Sequence, residues 1–176
     1  MTPPVKNILR FVSFILLQVY VLNQIPPVHY FIVPYLYFLY ILWLPFSLEH
    51  IPLMLTAFFY GLCLDFFTNT AGLHSAACVL IAFLRPYILS VLITKESSEQ
   101  SYGEPGIRSM GLAPYGVYIG MLTFVHHFYL VLLEWLQFGD FGYFLGKVAG
   151  TTGISLLLIF MTELVFNRNA KFRTNQ

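Results

Sequence analysis

The stretch Gly61-Leu-Cys-Leu-Asp65-Phe-Phe-Thr-Asn-Thr-Ala-Gly72-Leu-His74, GLCLDFFTNTAGLH, places a carboxylate at the end of one apolar run and a short polar turn before the next. Apolar residues continue back to Leu53 and forward to Ile93, so the stretch reads as the tip of a helical hairpin. Asp65 is costly there unless it is paired or faces water. The whole chain has the same character. Of its 176 residues 58% are hydrophobic and 10% charged, more apolar surface than a soluble core of this size can hide. Its 18 Phe and 12 Tyr suit lipid-facing surfaces and membrane interfaces. The chain is expected to be all-α, a polytopic membrane protein forming a single transmembrane domain over 1–176.

Six transmembrane helices are expected, at about 8–23, 30–46, 53–67, 73–93, 115–135 and 143–166. Pro26-Pro27, the Ser47–Pro52 stretch and the Thr68–Gly72 stretch separate the first four. Lys6, Arg10, Lys95, Arg108, Arg168, Lys171 and Arg173 fall before the first span, in the loop 94–114 and in the tail, and six spans put all three on one side. The opposite loops contain no Lys or Arg, so the positive-inside rule places both termini and the 94–114 loop in the cytoplasm. That loop, rich in Ser, Glu and Gly, reads as a linker before it reads as a docking segment.

Several residues ask for partners. An antiparallel hairpin separates Asp65 from Arg85 by roughly 15 Å along the axis, too far for a direct pair. Two readings of Asp65 stay open: an ion pair with Lys147, or hydrogen bonds to the Thr68–Thr70 turn. Arg85, just before Pro86, is a candidate for holding spans together. His126 and His127 point about 100° apart, which suits separate hydrogen bonds better than a shared metal and leaves a proton relay as a minority reading. Gly142, Gly146 and Gly150 share one face of the last span, and Gly116 and Gly120 lie on the fifth, so close packing of those two spans is expected, with a partner or homodimer interface as the alternative. Cys63 and Cys78 read as small hydrophobes. The sequence offers no metal or cofactor site, no catalytic constellation and no nucleic-acid patch, and the chain is not expected to be an enzyme.

Gly61, Asp65, Gly72 and Arg85, the last closing the run Leu80-Ile-Ala-Phe-Leu-Arg85-Pro86, resemble the pattern of the MreD family, a multi-spanning subunit of the bacterial cell-elongation machinery. The resemblance covers about thirty residues closely and the remainder by size and layout. It implies a non-catalytic scaffold in the bacterial inner membrane that binds MreC. It also implies work with the MreB filament and with the glycosyltransferase and transpeptidase of lateral peptidoglycan synthesis. Such proteins are similar in fold to the six-helix substrate-binding subunits of energy-coupling-factor transporters. The alternative function is therefore a vitamin-binding subunit, with Asp65, His74 and Arg85 lining a pocket.

Overall fold

The computed structural model describes residues 3–26, 32–93, 103–136 and 140–165. Its described elements are helices: α1 (Pro3–Tyr20), α2 (Leu39–Leu42), α3 (His50–Thr68), α4 (Leu73–Leu92), α5 (Ile107–Met110), α6 (Leu112–Trp135) and α7 (Phe141–Val165), plus a 3-10 turn at Leu22–Gln24. Five of them, α1, α3, α4, α6 and α7, are long and apolar enough to cross a membrane. Lys95, Arg168, Lys171 and Arg173 lie outside the described residues.

The expected second span, 30–46, is not a transmembrane helix. From Val33 to Leu36 the chain forms neither helix nor strand, and only Leu39–Leu42 forms a short α-helix. Pro34 and Pro45 explain this. Proline removes a backbone donor and biases the preceding residue toward extended backbone, so little room is left between the two for a helix. Every residue from Tyr35 to Leu44 is nevertheless buried, because α1, α3, α4, α6 and α7 surround the segment instead of lipid. A run buried by protein is as continuously apolar as one buried by lipid, and periodicity does not separate the two.

The α3–α4 hairpin forms where it was expected. A Cβ built on Gly61 would lie 2.3 Å from the Ser75 Cα, so only glycine lets the two backbones approach this closely. Asn69, at φ 55°, ends α3 in the left-handed region, and Gly72, at φ 82°, begins α4 from it. The helix α3 begins three residues before the expected boundary, giving it about 28 Å of length.

Helices α6 and α7 do not pack through Gly116, Gly120, Gly142 or Gly150. Cβ atoms on Gly116 and Gly120 would meet nothing within 4 Å. Contact comes instead from Val131, Phe144 and Val148 and from the Lys147–Glu134 ion pair. Gly150 faces the Ile32 side chain, its built Cβ 2.7 Å from Cδ1, while that of Gly142 meets only the Asp140 carboxylate at 3.4 Å. Gly146 is half-buried.

The second half of the long loop is docked, contrary to the linker reading. Glu104 accepts from Lys6 at 3.0 Å and from Arg10 at 2.9 Å, the Phe46 N–H donates to the Gly103 carbonyl at 3.1 Å, and Met110 is buried. The Arg10 guanidinium also stacks 5.4 Å from the Trp43 ring centre, and the Trp43 indole N–H donates to Tyr115 at 3.1 Å and to Glu163 at 3.0 Å. These contacts gather the starts of α1 and α6, the end of α7 and the docked loop at one end of the bundle. The turn at 68–72 marks the other.

Candidate functional site

An unwound chain inside a membrane bundle is tolerated only where its backbone polar groups find protein partners. Buried polar side chains supply them. Gln18, on α1, donates to the Pro34 carbonyl at 3.0 Å and accepts from the Leu36 and Tyr37 N–H groups at 2.9 and 3.3 Å. Its fourth hydrogen bond, a donation to Asn23 Oδ1 at 2.8 Å, completes the amide's capacity. Ser155 of α7 accepts from the Tyr35 N–H at 3.2 Å, and the Tyr60 hydroxyl of α3 donates to the Tyr37 carbonyl at 3.0 Å. Toward the loop end the Tyr118 hydroxyl of α6 donates to the Leu42 carbonyl at 2.9 Å.

Arg85 belongs to this set. It is 2% exposed, its Nη2 donates to the Leu44 carbonyl, and its Nε donates to the Tyr118 hydroxyl at 3.0 Å. A planar guanidinium can hold both at once. Arg85 thus ties α4 to α6 and to the interior segment.

Asp65 is buried at the turn end and forms no pair with Lys147, whose ammonium reaches Glu134 instead. Its Oδ1 accepts from the His74 N–H at 2.8 Å and from the Thr70 hydroxyl at 3.0 Å, and its Oδ2 accepts from the Ser75 N–H at 3.0 Å. The first N–H groups of a helix lack intrahelical partners and carry partial positive charge, so a carboxylate there satisfies both needs. Gly72, the residue before α4, has no side chain with which to cap it. Asp65 caps the next helix from across the hairpin.

Between these anchors lies a cluster of titratable rings. The Tyr37 hydroxyl stands 2.9 Å from His74 Nδ1 and 2.8 Å from His126 Nε2. His127 bonds the Thr123 carbonyl through Nδ1 at 2.7 Å and Ser155 Oγ through Nε2 at 3.0 Å. A carbonyl oxygen can only accept, so the bond to Thr123 puts a proton on His127 Nδ1, and in the neutral ring Nε2 accepts from the Ser155 hydroxyl. Phe38 stacks on His126 with ring centres 4.5 Å apart. His126 Nδ1, Thr123 Oγ1 and Thr152 Oγ1 are buried without a hydrogen-bond partner among the described residues.

A separate cavity of about 570 Å³ opens along α3, α4 and α6, walled by Met54, Phe58, Val79, Leu80, Phe83 and Tyr129 among others. Asp65, His74 and Arg85 are not part of its wall. Among the described residues no group of three or more His, Cys, Asp or Glu is arranged to hold a metal ion. The sequence reading singled out Gly61, Asp65, Gly72, Arg85 and the two histidines of α6 but missed Gln18, Tyr37, Tyr60, Tyr118 and Ser155. A lone Gln in an apolar run was the available signal for the first. The tyrosines carried none, since an aromatic in a membrane helix is ordinary. No family model, curated protein or solved structure matches the chain.

Proposed function

We propose that this chain is a non-catalytic scaffold of the bacterial cell-elongation machinery, of the MreD kind, holding MreC in the inner membrane. One observation carries the reading. The four residues behind the resemblance serve as fixtures of the architecture: Gly61 sets the α3–α4 approach, Asp65 and Gly72 start α4, and Arg85 grips the interior segment. A motif spent on rigidity suits a protein whose task is to present a fixed surface to other membrane proteins. Large exposed apolar side chains such as Phe59, Phe66 and Phe160 give that surface to lipid and to partner helices. Lys6, Arg10 and Arg108 at the loop end favour its facing the cytoplasm. The MreB filament and the glycosyltransferase and transpeptidase would then be reached through MreC or directly.

Affinity purification from native membranes tests the reading. Recovery of MreC in a stable complex is the expected result. Recovery with an energising ATPase and a bound small molecule, and without MreC, would instead establish the vitamin-transporter function.

A further inference from the structure

Beyond the scaffold reading and independent of it, we infer that His74, Tyr37 and His126 form a proton relay inside the bundle. The Tyr37 hydroxyl sits within 2.9 Å of one imidazole and 2.8 Å of the other, and all three side chains are buried. A hydroxyl has one proton, so Tyr37 donates to one ring and accepts from the other. When His126 is the donor through Nε2, its Nδ1 is a bare lone pair. That atom has no partner among the described residues. It is a proton acceptor that nothing in the described structure occupies. At the other end of the chain, His74 lies beside the Asp65 carboxylate, which already holds its backbone N–H at 2.8 Å.

The transfer balances with N–H and O–H bonds alone. A proton added at His126 Nδ1 makes an imidazolium. The Nε2 proton then passes to the Tyr37 oxygen while the Tyr37 proton passes to His74 Nδ1. His126 and Tyr37 end neutral, Tyr37 now donates to His126 Nε2, and the positive charge rests on His74 next to Asp65. Charge has moved toward an anion, which gives the transfer its direction.

The other groups around the relay do not compete for the proton. His127, whose ring centre is 5.1 Å from that of His126, already uses both nitrogens in hydrogen bonds. Tyr35 faces His74 with ring centres 5.8 Å apart and itself lies within electrostatic reach of Glu134, while Tyr60 and Cys78 are within reach of Tyr37. These phenols and the thiol are neutral in the physiological range. Helices α1 and α7 contribute Gln18 and Ser155 beside Tyr35–Tyr37, neither of which titrates.

Nitrogen-15 NMR of the full chain in lipid nanodiscs, labelled at histidine and titrated from about pH 3 to 8, tests the relay. His74 and His126 are expected to take up one proton as a pair, with a common midpoint, while His127 stays in its Nδ1–H form. In Tyr37→Phe the two rings should titrate apart, their midpoints separated by about one pH unit or more. Independent titration of His74 and His126 in the parent, or no protonation of either across the range, would overturn the proposal. Should Tyr37→Phe fail to fold, the parent spectra decide the question alone.

Discussion

Replacing Gly61 by alanine should damage this protein more than its single methyl group suggests. The added Cβ would lie 2.3 Å from the Ser75 Cα and 2.7 Å from its nitrogen, both backbone atoms of the facing helix. Carbon atoms rest at about 3.5–4.0 Å, so α3 and α4 must part by roughly 1.2–1.7 Å. Asp65 is one turn further along α3, and its bonds to the His74 and Ser75 N–H groups, at 2.8 and 3.0 Å, would stretch beyond hydrogen-bonding range. Overpacking costs about 1–3 kcal/mol and each of the two uncovered buried N–H groups about 1–3 kcal/mol, so a loss of about 3–9 kcal/mol is expected. Reversible unfolding in mixed detergent micelles, followed by circular dichroism, measures it. Gly116→Ala and Gly120→Ala are the controls, because their Cβ atoms meet nothing within 4 Å, and each should stay within about 0.5 kcal/mol of the parent. A Gly61→Ala protein as stable as those controls would refute the close-approach account of the hairpin.

Gln18→Leu should cost about 3–6 kcal/mol in the same assay, since it strips partners from the Pro34 carbonyl and from the Leu36 and Tyr37 N–H groups together. Arg85→Lys should lose about 1–3 kcal/mol, because an ammonium cannot reproduce the fork that meets both the Leu44 carbonyl and the Tyr118 hydroxyl; parent-like stability would show that charge alone suffices. Burial works to raise the Glu104 pKa, but Arg10 and Lys6 outweigh it and hold the carboxyl below its ordinary value of 4.5. The folded value lies under the unfolded one, so this contact stabilises the docked loop above about pH 4.5 and is lost as pH falls through the lower folded value. Spin labels on Leu9→Cys and Ile107→Cys should then show a distance distribution that broadens on acidification, and at every pH in Glu104→Gln. A cysteine at Ile107 should resist an impermeant reagent applied to intact cells, and its modification would reverse the proposed orientation.

The sequence by itself determined the class of molecule and its hairpin. Composition excluded a soluble core, length and hydropathy placed five of the helices, and the GLCLDFFTNTAGLH stretch marked where α3 turns into α4. These are local or summed properties, so one chain read in order reveals them. The fate of 30–46 was not of that kind. Its Pro34 and Pro45 hinted at a broken helix, but an apolar run looks alike whether lipid or five helices bury it. The partners of its backbone lie far away in sequence: Gln18 on α1, Tyr60 on α3, Arg85 on α4, Tyr118 on α6 and Ser155 on α7. Charge showed the same limit. Lys147 was legible as a cation in need of a partner, yet Glu134 and not Asp65 is its neighbour, because Asp65 is held by the α4 N-terminus. Backbone N–H groups are present at every position, and only folding decides which of them are left exposed at a helix end for a carboxylate to find.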